Sequence, residues 1–127
     1  MYEPIRTRSV HSMAESPAYP HRSREDELDI QLAGHLSALL AVTDELALAT
    51  AADRIATEVA RLRGAPPARH TALSGTDPAA LHRRAHALAG RALVVAASRA
   101  DTTVAILAAE RMDAHAASID ELRLAVA

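Results

Sequence analysis

Apolar residues in the first half of the chain recur at spacings of three and four, which is the period of an amphipathic helix. No proline interrupts this stretch, Ser23 can cap its first amides, and Gly64 follows its last arginine. The pattern predicts one long helix over about 24–63, with a drift in register near Leu48. The recurring positions are Leu28, Leu32, Leu36, Leu39, Leu46, Ile55, Val59 and Leu62.

A second helical run starts at Pro78, directly after Asp77. Aspartate can cap free amides, and proline is favoured at the first helical position because its missing N–H is not needed there. The pattern predicts a second long helix over about 78–126. A break near 98–103, where β-branched threonines form a weak helical run, is the alternative and would give three helices. The apolar positions are Leu81, Ala85, Leu88, Ala92 and Val95, then Val104, Leu107, Ile119, Leu122 and Val126.

Between the two runs, residues 64–77 contain two prolines and Gly75 and are interpreted as a connection. Two long helices joined in this way form an antiparallel hairpin, so the predicted fold is all-α with one helical domain over 24–127. Residues 1–23 mix proline, serine, arginine and histidine without a sustained period. They predict a mobile N-terminal arm in front of that domain.

Each predicted helix also carries apolar residues beyond its main stripe. These are Ile30, Leu40, Val42 and Leu48 on the first helix and Leu93, Val94 and Leu124 on the second. A single hairpin buries one stripe on each helix, whereas two hairpins paired as a four-helix bundle bury both sets. Because two-fold dimers are also the commonest oligomers, we expect a homodimer. Its predicted core consists of Leu32, Leu36, Leu39, Leu46, Ile55, Val59, Leu62, Leu81, Leu88, Val95, Ile106, Ile119 and Leu122.

Composition narrows the classes of function. The chain has 127 residues, with 31 alanines, 15 leucines and no Phe or Trp, which predicts a thin core and disfavours a roomy ligand pocket. The lack of cysteine excludes disulfides and thiolate metal sites. No stretch is apolar enough to span a membrane and the first residues lack an apolar leader, so we expect the cytoplasm and no membrane contact. All 14 basic residues are arginines, which is typical of high-GC bacterial coding.

Charge is strongly segregated along the chain. Residues 25–58 carry a net charge of −7 and residues 61–99 one of +6, around a total of −2. In the predicted hairpin this makes the tip basic and the opposite end acidic. The charges then either solvate exposed faces, set an antiparallel dimer, or bind a polyanion or partner. The predicted contact residues at the tip are Arg69, Arg83, Arg84 and Arg91.

His82 and His86 stand one helical turn apart, a spacing that places two imidazoles on one face where they can hold a transition metal. Glu58 faces them in the predicted hairpin and would complete a His-His-carboxylate set. Against this, Arg83 and Arg84 lie between the histidines, and the His-Glu-x-x-His and Glu-x-x-His motifs are absent. The alternative is a solvated or hydrogen-bonded pair with no cofactor. The other histidines are isolated in sequence and are interpreted as surface residues.

The sequence contains no glycine-rich phosphate loop, nucleophile-elbow motif or kinase motif. We therefore expect a non-enzymatic interaction or regulatory module that pairs with itself and with another protein. Nucleic-acid binding through the basic tip is one alternative, although aromatic stacking residues are scarce and the isoelectric point of about 6.4 is low for it. A metal-dependent enzyme using His82 and His86 is the other.

Overall fold

The computed structural model describes residues 23–72 and 75–126, and it confirms the all-α fold, since no strand occurs in those ranges. The predicted arm lies outside the described residues except for Ser23. No helix within the described ranges combines the length and the hydropathy needed to cross a bilayer. The helices are α1 (Arg24–Glu45), α2 (Ala49–Arg63), α3 (Pro78–Ser98) and α4 (Thr102–Ala125).

Both predicted long helices are divided by a three-residue turn, at 46–48 and at 99–101. In each turn an alanine adopts the left-handed conformation, with φ at 58° for Ala47 and 59° for Ala100. The alanine N–H bonds to the carbonyl three residues back, and the following N–H bonds to the carbonyl five residues back. This pair of bonds is the Schellman motif, which ends a helix and reverses the chain.

The two breaks were not equally visible in the sequence. The break near 98–103 is confirmed, whereas the continuous helix over 24–63 is wrong. Because both helices are divided, the chain has four helices and not the three that the alternative gave. Schellman turns usually place glycine at the left-handed position, because a Cβ there meets the following carbonyl oxygen. Alanine is the best helix former, so Ala47 inside a sustained apolar period predicts continuation of the helix. The drift in register near Leu48 was the one sign of the break.

Ion pairs between helices fix the direction of α2 relative to α4. Arg54 contacts Glu110 at 3.0 Å, and Arg61 contacts Asp101 at 2.7 Å. The partner numbers fall as the α2 numbers rise, so these two helices are antiparallel. The short turns make α1–α2 and α3–α4 antiparallel as well, and α1 also packs against α3. One chain therefore builds a four-helix arrangement with the order up, down, down, up.

The connection between α2 and α3 runs back along this bundle. Arg69 Nη2 lies 2.8 Å from Asp44 Oδ1, and the His70 N–H donates to the same carboxylate at 2.9 Å. These contacts place the middle of the connection beside the α1–α2 turn, whereas α2 ends at the opposite end of the bundle. Arg63 and Pro78 therefore lie far apart, and the predicted hairpin register, which placed them face to face, is wrong.

Small side chains let α3 approach its neighbours closely. A Cβ built on Gly90 would lie 3.6 Å from the Met112 Cε of α4, which is ordinary contact distance. The rest of the apolar core consists of leucine, isoleucine and valine with Ala33, Ala52 and Ala108, as expected for a chain without Phe or Trp. The alanines of α3 in the core are Ala85, Ala89, Ala92 and Ala96.

Most of the predicted dimer core lies inside this single chain. Ile106 is the exception: it is 53% exposed, and Val104 and Leu107 occupy the core positions of α4 instead. Because four helices of one chain already bury most of both apolar sets, burial alone no longer requires a second copy. The buried members are Leu32, Leu36, Leu39, Ile55, Val59, Leu81 and Leu88, and the partly buried ones are Leu46, Leu62, Val95, Ile119 and Leu122.

Candidate functional site

A buried histidine pair lies between α3 and α4, near the level of the α1–α2 turn. His82 Nδ1 lies 2.9 Å from His115 Nδ1, with ring centroids 5.1 Å apart. His115 is fully buried and His82 is 9% exposed. Two ring nitrogens at this distance share an N–H···N hydrogen bond, so one ring donates and the other accepts.

Arg111, one turn before His115 on α4, decides which ring donates. Its Nη2 lies 3.4 Å from His115 Nε2. A guanidinium has donors only, so His115 Nε2 accepts and His115 carries its proton on Nδ1. His115 then donates to His82, which carries its own proton on Nε2. Both rings are therefore neutral in this arrangement.

The surroundings of the pair oppose a positive charge on either ring. Burial lowers the pKa of His115 to about 4, and the cation of Arg111 and the neighbouring His82 and His86 act in the same direction. Burial and Arg111 also lower the pKa of His82. Among the described residues, no carboxylate hydrogen-bonds to either ring. The pair is thus a neutral polar contact inside the core.

Arg111 connects this pair to the surface. Burial lowers its pKa, repulsion from Arg54 lowers it further, and Glu110 acts in the opposite direction. The Arg111 Nε is buried and has no hydrogen-bond partner in the described part of the chain. The residue borders an open recess of about 440 Å³ between α4 and the start of α2. The lining residues are Ala47, Leu48, Ala49, Thr50, Ala51, Arg54 and Arg111.

The start of α2 gives this recess a positive character. Its N-cap residue is Leu48, which provides no side-chain cap, and the first turn of α2 contains no acidic residue. The first amides of a helix have no intrahelical acceptor and carry partial positive charge. None of the residues lining the recess is acidic. Free amides and two guanidinium groups therefore border one cavity.

The α3–α4 turn has the opposite chemistry. Asp101 accepts from the Val104 N–H at 3.2 Å and from Arg61 at 2.7 Å, while Arg99 donates to Asp29 at 2.9 Å. Burial alone would raise the pKa of Asp101, but its hydrogen bonds from Arg61 and Val104 lower it below its ordinary value. The recess beside this turn, of about 340 Å³, contains two arginines and two aspartates, so its charges are balanced.

The topology separates the four arginines of the predicted basic tip. Arg69 contacts Asp44 at 2.8 Å and Asp53 at 3.4 Å, and its hydrogen bonds hold the pKa of Asp44 below its ordinary value. The other three lie on the exposed side of α3, where the described residues give them no ion pair. A continuous basic tip therefore does not form. These three arginines are Arg83, Arg84 and Arg91.

The predicted metal set of His82, His86 and Glu58 is not brought together. Glu58 lies on α2 and accepts from Arg61 at 2.8 Å, whereas His82 bonds to His115. The reason is the topology, because α2 packs against α1 and the edge of α4 rather than against α3. Within the described ranges, no three His, Asp or Glu side chains are placed to hold a metal ion.

Sequence reasoning missed His115 and Arg111, which it treated as surface residues or left aside. One signal could have found them. Val104, Ala108, Arg111 and His115 follow one another at spacings of four, three and four, so both polar residues continue the buried stripe of α4. A polar residue on a buried stripe needs a hydrogen-bond partner, which here is a histidine of the neighbouring helix.

Comparison with known protein families, with curated proteins and with solved structures found no match. The interpretation of the site therefore rests on its own geometry.

Proposed function

We propose that the chain is a non-enzymatic helical interaction module that pairs with a second copy of itself through the outward face of α3 and α4. The observation that carries the proposal is that exposed apolar side chains lie among basic residues on α3 and among acidic residues on α4. Val94 on α3 is 67% exposed and Ile106 on α4 is 53% exposed. Large aliphatic side chains this exposed favour burial against a partner.

The two apolar residues lie at one height of the α3–α4 hairpin. The facing pairs His82–His115 and Gly90–Met112 set its register. Continuing that register towards the turn brings Val94 level with Ile106. The pair is therefore available to pack against the equivalent pair of a second copy.

Charge complementarity selects the arrangement of the two copies. Arg84 and Arg91 share an exposed stripe with Val94, and α3 contains no acidic residue. Asp113 and Asp120 share the corresponding exposed stripe of α4 with Ile106. In a parallel two-fold pair, α3 of each copy lies against α4 of the other, so the basic stripe meets the acidic one. This differs from the antiparallel dimer that was one alternative for the charge segregation, because these charges lie along the sides of the bundle.

Sedimentation equilibrium tests the pairing. Reversing Arg84→Glu and Arg91→Glu together should weaken self-association about tenfold or more, and adding Asp113→Arg and Asp120→Arg should partly restore it. Arg63→Glu is the matched control, because Arg63 is an exposed arginine on α2 and away from this face. A wild-type chain that stays monomeric at high concentration contradicts the proposal.

Nucleic-acid binding through Arg83, Arg84 and Arg91 is the second candidate, favoured by their exposure on one helix without acidic neighbours in α3. Its signature is retention on DNA that falls steeply with salt and is lost in the Arg84→Glu, Arg91→Glu variant. Such retention by a chain that does not self-associate would replace the first proposal. Binding to another protein and a cytoplasmic location are parts of the main proposal that pull-down and fractionation of the intact chain test.

A further inference from the structure

We propose that the recess at the start of α2 binds a small oxyanion, namely a phosphate group, through Arg111 and the first amides of α2. This site is separate from the α3–α4 face, so it stands or fails independently of self-association. Three observations support the site. Arg111 has no carboxylate partner, the start of α2 has no side-chain cap, and the α3–α4 turn fills the corresponding place with an aspartate.

The guanidinium of Arg111 has no carboxylate hydrogen bond among the described residues. It contacts His115 Nε2 at 3.4 Å, which is a long hydrogen bond to a neutral ring. Its Nε, as noted above, is a buried donor without an acceptor among the described residues. Buried polar groups are nearly always hydrogen-bonded, and buried charges are nearly always paired. An anion in the adjoining recess would supply the missing negative charge.

Arg54 adds a second cation beside the recess. Its Nη2 contacts Glu110 at 3.0 Å, and the side chains of both residues are 53% exposed. An exposed ion pair of this kind contributes little to stability, so Arg54 can shift towards a bound anion at small cost. Glu110 is the nearest carboxylate to this arginine, but it does not line the recess. The lining itself carries two positive charges and no negative one.

The contrast between the two turns shows what is missing. Asp101 and Leu48 occupy the same position, directly after the left-handed alanine and directly before the next helix. At the α3–α4 turn, the Asp101 carboxylate caps α4 and pairs with Arg61. At the α1–α2 turn, the corresponding Leu48 leaves both the helix amides and the nearby Arg111 without a carboxylate. An external oxyanion would take the place that Asp101 fills at the other turn.

The shape and chemistry of the recess favour phosphate over other ligands. Its volume of about 440 Å³ is open to solvent, so it admits a phosphate group attached to a larger molecule as well as the free ion. Thr50 adds a hydroxyl donor beside the amides. Guanidinium forks and helix N-terminal amides are the groups that proteins use for phosphate oxygens. A metal cation would be repelled by the same groups.

Amide NMR titration of the full chain with inorganic phosphate tests the site. Phosphate should move the backbone amide signals of Thr50 and Ala51 and the Nε–H signal of Arg111 along saturable curves. Chloride at matched ionic strength should not. A parallel titration with glycerol 3-phosphate distinguishes free phosphate from the phosphate group of a small molecule. Tighter binding of the ester identifies a phosphorylated small molecule as the ligand. Shifts spread over all arginines, or equal in chloride, overturn the proposal.

Variants keep the test independent of folding. Leu48→Asp provides an internal carboxylate at the position that Asp101 holds in the other turn, so the chain should fold and phosphate affinity should fall about tenfold or more. Arg111→Gln should lower the affinity similarly if it folds. Arg63→Gln, which removes an exposed arginine at the far end of α2, should leave the affinity unchanged. Wild-type affinity in Leu48→Asp would contradict the assignment.

Discussion

The two turns of this fold share a backbone and differ in chemistry. Each ends a helix with a left-handed alanine, and each brings arginines close to the start of the following helix. At the α3–α4 turn, aspartates satisfy the helix amides and the guanidinium groups. At the α1–α2 turn, no carboxylate lines the recess, and the partly buried Arg111 contacts a neutral histidine instead.

The geometry of these turns and their electrostatics are therefore set by separate residues. Ala47 and Ala100 produce the same reversal, while the next residue, Leu48 or Asp101, decides whether the following helix is capped. The balanced turn closes one end of the bundle with ion pairs. The α1–α2 turn, which is unbalanced, keeps amide and guanidinium donors available for a ligand. It also leaves the cation of Arg111 in contact with the histidine pair and without a carboxylate partner.

The largest expected difference between the two turns is their response to acid. His115 has a folded pKa of about 4 against an ordinary value of 6.5, so the unfolded chain binds more protons between these limits. The free energy of unfolding should therefore be at its full value above pH 6.5 and fall by on the order of 3 kcal/mol as the pH drops towards about 4. The lowered pKa of His82 adds to this loss. Urea unfolding at several pH values measures it.

A matched pair of variants assigns that pH dependence. His115→Gln should flatten the profile between these limits, whereas His35→Gln, at a half-buried position on α1, should preserve it. The α3–α4 turn should contribute little in this range. The lowered pKa of Asp101 means that its stabilisation is present above 3.8 and is lost only as the pH falls further. An unchanged slope in His115→Gln would contradict the role given to the pair.

A smaller effect is expected from removing the carboxylate that balances the α3–α4 turn. Asp101→Ala deletes the cap of α4 and the partner of Arg61, and should cost about 2 kcal/mol. Glu121→Ala is the control, since Glu121 is an exposed carboxylate of α4 outside the proposed pairing stripe. Urea unfolding of both variants gives the comparison. Equal losses would mean that Asp101 has no special part in the turn.

The smallest expected effect concerns the feature that the turns share. Ala47→Gly and Ala100→Gly each relieve the Cβ strain of a positive φ, against the higher chain entropy of glycine in the unfolded state. Each should raise stability by about 0.5 kcal/mol, and the two should add because the turns are at opposite ends. Ala87→Gly in the exposed face of α3 should instead destabilise by about 1 kcal/mol. Losses in both turn variants would contradict left-handed strain at these alanines.

The sequence predicted local starts and stops better than tertiary arrangement. Ser23 and Asp77 accept from backbone amides as expected, and Gly64 ends α2 with a φ of 75°. The path of residues 64–77 was not predictable. Fourteen residues reach about 45 Å when extended, so they can either loop between neighbouring helix ends or run the whole length of the bundle. The predictions of a basic tip and of a metal set both depended on treating these residues as a short loop between two facing helices.

The candidate site was hidden for a different reason. His115 and Arg111 are ordinary polar residues in sequence, and their meaning depends on α3 placing His82 opposite them. The charge segregation was real, but topology brought Arg61 and Arg69 to acidic partners that lie far away along the chain. The net charges of the segments indicated that ion pairs would form. They could not indicate which recess would be lined by cations without a carboxylate.

The most direct test of the unbalanced turn is the urea midpoint of the wild-type chain in phosphate and in chloride at equal ionic strength. Because a ligand bound only by the folded state stabilises it, phosphate should raise the midpoint of the wild-type chain. Leu48→Asp, which fills the recess with its own carboxylate, should show the same midpoint in both salts. Equal midpoints of the wild-type chain in phosphate and chloride, or an equal gain in Leu48→Asp, would contradict phosphate binding in this recess.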